Sequence, residues 1–356
     1  MTRRALFAAA ALAAACAAAI SCARRGGQES PSGTAAANGF AQRSRDDRIA
    51  QRATAPEVVL RMAETHPSDY PTTEGDREFA RLVERRSGGR IRIEVYPDSV
   101  LGQEKAVIEQ VRFGGIDLTR VSLSVTESFA PLLNALQMPY LYRDSEHMWK
   151  VLKGAIGREL LATLEPAGLV GLGWFEPGWR SFYNARRPLL VPDDLRGLRI
   201  RVQENELMTA LASAFGAIPV PMPYGEVYAG LQTGAIDGAE NNWPSYYSQG
   251  HYEVAKHLTL DRHTCVPEII IGSAVSLGEL PPADRELIRR CADDAVDFQR
   301  AEWAKYERLA EERCLAAGVA VVEVADKRAW EAAVAPLYAR QGPEIRALVE
   351  RIKAVR

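Results

Sequence analysis

The chain has 356 residues, 47% of them hydrophobic and 25% charged, which is a globular composition long enough for about two domains. Lys and Arg total 44 against 46 Asp and Glu, for a net charge of -2, and this balance argues against a nucleic-acid partner, which needs a concentrated basic face. The N-terminus reads as an export signal. Arg3 and Arg4 precede an Ala-rich, uncharged stretch over residues 5–21. Residues 1–21 are therefore expected to be a signal peptide. Residues 22–56, rich in Arg, Gly, Ser, Ala and Gln, are expected to be a flexible tether.

Strands and helices then alternate. Residues 58–65 are strand-like and residues 73–86 helical, with Phe79, Leu82 and Val83 at core spacing and Gly88-Gly89 as the stop. The polar–apolar alternation of residues 90–96 predicts a strand. A helix is expected at 103–113 and strands at 116–124, 169–175 and 196–202, followed by helices at 204–215 and 224–234. The pattern predicts an α/β fold with mostly parallel pairing. From Pro282 to Ala317 no Gly or Pro interrupts a helical pattern, and Pro282 and Gly318 suit its ends. At 1.5 Å per residue such a helix is about 54 Å long, enough to brace two lobes. Leu287, Ile288, Cys291, Ala295, Phe298 and Leu309 are its candidate apolar face.

Catalytic and cofactor signatures are missing. There is no phosphate-binding glycine loop, no H-E-x-x-H and no G-x-S-x-G. The five histidines lack metal-ligand spacing, so no metal and no cofactor is expected. Cys265, Cys291 and Cys314 read as buried free thiols, since Cys291 and Cys314 are about 34 Å apart on one continuous helix. Ala19-Ile20-Ser21-Cys22 resembles a bacterial lipobox with Ala in place of the usual Leu, making Cys22 a candidate lipid anchor.

Three segments carry a resemblance: residues 178–184 (GWRSFYN), 194–202 (DLRGLRIRV) and 221–242 (PMPYGEVYAGLQTGAIDGAENN). In this order they are similar to the extracytoplasmic solute receptors of tripartite ATP-independent periplasmic (TRAP) transporters, the DctP-type family. Leu101-Gly102, Gly115-Ile116-Asp117 and Pro139-Tyr140 fit the same pattern, from about residue 57 to 340. The resemblance implies a non-enzymatic binding protein with a periplasmic-binding-protein-like fold: two lobes, a hinge and a long helix beneath both. It implies lobe one at 57–178 plus 267–306 and lobe two at 179–266 plus 307–356. The lobes would close on an organic acid and deliver it to membrane permease subunits.

The site residues follow from the same match. Arg199 and Arg201 alternate with Leu198, Ile200 and Val202, which by pattern alone is a solvated strand face. The resemblance instead makes Arg201 the principal clamp on the ligand carboxylate, a role its planar fork of donors suits. It implies supporting roles for Arg180 and for Asn241, whose pattern reading is turn chemistry. Tyr224 and Trp243 are candidate cleft residues, with core packing as the alternative. His66, Glu104 and Ser124 are candidates from lobe one; Glu104 reads equally as an acid at a helix N-terminus. His263 is left out of the candidate set. A carboxylate retained in an acid-binding cleft points to a polyhydroxylated ligand. Residues 66–71 (HPSDYP), 146–148 (EHM) and 238–246 (GAENNWPSY) are similar to the uronate-binding members, so the expected ligand is a hexuronate such as glucuronate or galacturonate. The alternatives are a four-carbon dicarboxylate or 2-oxo acid, an enzyme acting on a carboxylated sugar, and a sensor domain.

Overall fold

The computed structural model describes residues 55–356; the expected signal peptide, most of the expected tether and the lipobox-like segment at Cys22 lie outside them. The chain opens with β1 (Val58–Ala63), α1 (Pro71–Arg86), β2 (Ile91–Tyr96), α2 (Glu104–Arg112) and β3 (Leu118–Ser122). The expected start of α1 moves back to Pro71, because proline at the first helical position lacks only an N–H that would be unpaired anyway. Two short 3₁₀ segments, Leu123–Thr126 and Pro131–Gln137, lead to α3 (Ser145–Lys153), α4 (Ala155–Ala162) and β4 (Leu169–Phe175). The chain then enters a second sheet through β5 (Trp179–Asn184), β6 (Arg199–Val202), α5 (Glu206–Ala214), β7 (Ile218–Pro221), α6 (Val227–Thr233), β8 (Gly238–Asn241), α7 (Trp243–Ser248), α8 (His251–Val254) and β9 (His257–Cys265). It returns with β10 (Glu268–Ser273) and α9 (Ala274–Gly278), and finishes with α10 (Pro282–Ala316), β11 (Ala320–Glu323), α11 (Arg328–Arg340) and α12 (Pro343–Lys353).

The strand order is β2-β1-β3-β10-β4 in lobe one and β11-β9-β5-β8-β6-β7 in lobe two. Pairing is more mixed than the alternating pattern predicted. β10 runs antiparallel to β3 and β4, and β5 antiparallel to β8 and β9. The connections explain it: residues 176–178 join β4 to β5 and residues 266–267 join β9 to β10. A parallel neighbour needs a crossover of a dozen residues or more, so strands that pass directly between sheets enter each one antiparallel. These two strand connections, with α10 beneath them, join the lobes.

Helix α10 is one uninterrupted element of 35 residues carrying both Cys291 and Cys314 as buried free thiols. It packs on α1 and β4 of lobe one and on α7 of lobe two. Its buried face is Ile288, Cys291, Ala292, Ala295, Val296, Gln299, Trp303, Ala310 and Cys314, whereas Phe298 and Leu309 are exposed. At the crossing, Gln299 Oε1 accepts from Glu176 N at 2.7 Å while its Nε2 donates to Glu176 O at 3.3 Å. The side chain thus takes both backbone groups of a residue that has left its sheet.

The C-terminal helix corrects one expected boundary. Lobe two is expected to include all of residues 307–356, yet α12 packs on the 131–137 segment of lobe one. His147 Nε2 donates to Ile352 O at 3.0 Å, and Arg143 Nη2 to Val355 O at 2.7 Å. Leu348, Val349 and Ile352 supply the apolar stripe that this contact buries.

Gly178 marks the tightest point of the crossing. Its φ is +61°, and a Cβ there would lie 2.6 Å from the Trp303 ring. Gly178→Ala is therefore expected to cost about 2–4 kcal/mol, as left-handed strain plus overpacking. Gly197→Ala, at φ +78° with open space around it, should lose only the strain component. Thermal unfolding of the two variants checks this, and equal losses would contradict it.

Candidate functional site

The strand ends facing each other between the lobes line a narrow cleft. Lobe one contributes His66 after β1, Glu104 at the start of α2, Ser122 at the end of β3 and Glu268 at the start of β10. Lobe two contributes Arg180 from β5, Arg201 from β6, Gln203, Tyr224, Asn241 from β8, Asn242 and Ser245. Six of the eight residues singled out in the sequence meet here: Arg201, Arg180, Asn241, Glu104, His66 and Tyr224. The other two do not line the cleft. Ser124 is fully buried, its Oγ lying 2.5 Å from Gln137 Oε1 and 2.9 Å from Gln203 Oε1, so it ties the lobes together instead. Trp243 opens α7 and packs its ring against Tyr246 at 6.2 Å, because the first-turn position points it into lobe two's core.

The lobe-two wall is cationic. Arg201 is only 3% exposed, yet it makes no ion pair among the described residues. Its Nε and Nη2 donate to the Met222 carbonyl at 2.9 and 2.7 Å. Burial and the nearby Arg180 make its charge less favourable, and Glu240 offsets only part of that. Its neighbour Arg199, two residues away on the outer part of the strand, pairs with Asp237 at 3.0 Å. Arg180 has a partner: Nε and Nη2 meet the Glu240 carboxylate at 2.5 and 2.8 Å, and Nη1 donates to Asn241 Oδ1 at 2.9 Å. Burial works against the charge on Glu240, but Arg180 and His263 outweigh it and hold the group at about 2. Behind it, His263 Nδ1 lies 2.8 Å from Asp261 Oδ2 and Nε2 lies 3.5 Å from Glu240 Oε2. Burial opposes the imidazolium, yet Asp261 and Glu240 raise it to about 9. The Tyr224 hydroxyl is buried beside the cleft with no hydrogen bond of normal geometry among the described residues.

The lobe-one wall is acidic. Arg120, fully buried in β3, is ringed by carboxylates. Its Nε donates to Glu64 Oε2 at 2.7 Å, and its Nη1 to Glu104 Oε1 at 3.0 Å and Glu268 Oε2 at 2.7 Å. Its Nη2 reaches Glu64 Oε1 and His66 Nδ1. Burial pushes Glu268 up to about 7 despite Arg120. Burial and Arg120 hold His66 below its usual range, so the ring is neutral where it stacks on Tyr70 at 3.9 Å. Asp76 lies behind, fully buried without a hydrogen-bond partner among the described residues; burial and Glu64 push its carboxyl well above the usual carboxylate range. The sequence reading missed Glu64, Arg120 and Glu268. A signal was present, since an arginine inside a fully buried strand (LTRVS) needs a buried anion.

The ion-pair chain behind Arg180 has a pH signature. The His263 value is raised above that of an unfolded histidine, about 6.5. Its contribution to stability is therefore complete below about pH 6.5 and lost as pH rises through about 9. His263→Asn should flatten the decline of the unfolding midpoint between pH 6.5 and 9; an unchanged slope would contradict the assignment.

Comparison with known proteins gives the family. Residues 62–343 match the DctP model, described as bacterial extracellular solute-binding protein, family 7. A TRAP periplasmic solute-binding protein from Bradyrhizobium sp. BTAi1, solved with galacturonate, superposes with a TM-score of 0.81 at 41% identity, covering 83% of this chain and 99% of that one. One from Roseobacter denitrificans, solved with β-D-glucuronate, gives 0.81 at 36% identity, covering 84% and 100%. The 2,3-diketo-L-gulonate-binding periplasmic protein of Escherichia coli is 34% identical over 271 residues, 74% of this chain and 83% of its own. With a family model matched over most of the described residues and relatives that are receptors of TRAP transporters, which bind solutes and are not enzymes, the chain belongs to the DctP family of bacterial extracellular solute-binding proteins.

Proposed function

We propose that this protein is the extracytoplasmic receptor of a TRAP transporter and captures a hexuronate, glucuronate or galacturonate. The observation that carries the reading is Arg201: a guanidinium withdrawn from water with only a carbonyl as partner among the described residues. Removing a charge from water is expensive unless an anion compensates it, and here the ligand carboxylate supplies that anion. Arg180 and Asn241 support the same end, while Tyr224 offers its unpaired hydroxyl. The acidic wall opposite accepts hydrogen bonds from sugar hydroxyls through Glu104 and Glu268, beside His66. Four similar receptors, from Bradyrhizobium, Xanthobacter autotrophicus, Roseobacter denitrificans and Chromohalobacter salexigens, carry galacturonate or glucuronate in their structures, which supports the ligand class. A receptor from Polaromonas with D-erythronate, at 34% identity, keeps shorter sugar acids as the second reading.

Residues 1–21 direct export, Cys22 is the candidate lipid attachment point, and the closed receptor hands its ligand to membrane permease subunits on other chains. Closure is a hinge motion about the crossings at 176–178 and 266–267. Hydrogen bonds hold the closed form across the lobes: Gln203 Nε2 to Ser122 Oγ at 2.7 Å, Asn205 Nδ2 to Ser124 O at 2.9 Å, and Tyr70 OH with Ser245 Oγ at 2.8 Å.

Calorimetric titration with glucuronate, galacturonate, succinate, pyruvate and glucose tests the reading. Both or either of the uronates should bind and glucose should not. Arg201→Ala should weaken uronate binding by about 2–5 kcal/mol, and Arg201→Lys should also bind worse because the bidentate fork is lost. Near-wild-type affinity in Arg201→Ala would overturn the carboxylate clamp; binding of succinate or pyruvate alone would overturn the uronate assignment.

A further inference from the structure

The proposed uronate site has a feature that concerns the charge at the ligand's far end. Arg120 is the one cation that contacts the lobe-one carboxylates of the cleft among the described residues, and its donors are spent. A guanidinium has five N–H groups. Here Nε serves Glu64, Nη1 serves Glu104 and Glu268, and Nη2 serves Glu64 and His66. None is left for a ligand anion. The free capacity in this wall has the opposite polarity. Glu104 uses Oε1 for both Arg120 and the Ser122 amide, and Glu268 uses Oε2 for Arg120. Glu104 Oε2 and Glu268 Oε1 accept no hydrogen bond from the described residues, although both side chains are about nine-tenths buried and both line the cleft.

An ionised carboxylate is acceptor-only, so these oxygens can be satisfied only by donors. A hydroxyl supplies one. A second carboxylate on the ligand supplies none and adds like charge to a wall that already carries three acids around one arginine. We propose that Glu104 and Glu268 are charge-specificity residues: they restrict the site to sugar acids with one carboxylate and exclude the aldarates, in which both ends of the sugar chain are carboxylates. This selection works by penalising the wrong ligand as well as by binding the right one. It rests on the placement of the first carboxylate at Arg201.

Galacturonate and galactarate test it, because they share hydroxyl stereochemistry and differ at C1, a ring hemiacetal in the first and a second carboxylate on an open chain in the second. Titrations belong at pH 8, where Glu268, pushed up to about 7 by burial, is ionised. Glucuronate and the monoanionic, open-chain gluconate complete the set. The full-length protein should bind galactarate at least ~100-fold more weakly than galacturonate. Glu268→Gln keeps the shape, removes one charge and adds an N–H donor, so it should narrow that ratio at least ~10-fold. Galactarate binding within ~10-fold of galacturonate in the wild type would overturn the proposal, as would an unchanged ratio in Glu268→Gln. Binding of gluconate without either uronate or galactarate would overturn the hexuronate reading and leave the charge rule standing. Binding of none of the four would overturn both.

Discussion

The cleft depends on a cation removed from water before its counter-ion arrives. Arg201 sits on β6 at 3% exposure, held in place by two bonds to one carbonyl and by no carboxylate of the described residues. Such a group destabilises the empty closed state relative to the liganded one, so the binding energy of an anion is also the energy of closure. Its neighbour shows the alternative arrangement. Arg180 is equally buried, but Glu240 takes up its charge and leaves it a fixed donor framework around Asn241. Two adjacent arginines on one wall thus divide the work, one neutralised and positioned, the other waiting for the ligand.

Fold and charge distribution support each other. The two short connections force antiparallel strands into both sheets, and those strands, β5 and β10, bring Arg180 and Glu268 into the cleft from opposite lobes. The wall of lobe two gathers Arg180, Arg201 and a protonated His263 around Glu240 and Asp261; the wall of lobe one gathers Glu64, Glu104 and Glu268 around Arg120. A polar ligand with an anionic end and a hydroxylated end is therefore oriented by field as well as by contacts. Beneath this, α10 holds the crossing through Gln299 and leaves no room for a side chain at Gly178.

Much of this was legible in the sequence, for physical reasons that can be named. Alternation placed β2, amphipathic spacing placed α1, and the absence of Gly and Pro between 282 and 317 placed α10. Mixed pairing was not legible, because the direct crossings at Glu176-Pro177-Gly178 and Val266-Pro267 look like ordinary turns. Arg201 illustrates the limit of periodicity: alternation shows that Arg199 and Arg201 share a face, but only the tertiary fold buries one and leaves the other beside Asp237 at the strand's outer end. Ser124 follows a strand that ends at the cleft and Trp243 follows Asn242, yet Ser122, two residues earlier, and Asn242, one residue earlier, are the ones that line the cleft, which Ser124 ties shut. Glu64, Arg120 and Glu268 come from three separate strands, and no local pattern links them.

A crystal structure of the protein with galacturonate is the most direct test. The ligand carboxylate is expected within hydrogen-bonding distance of the Arg201 guanidinium, with ring hydroxyls donating to Glu104 and Glu268. A carboxylate placed against lobe one, with Arg201 still bonded only to the Met222 carbonyl, would contradict the assignment of that arginine as the anion receptor.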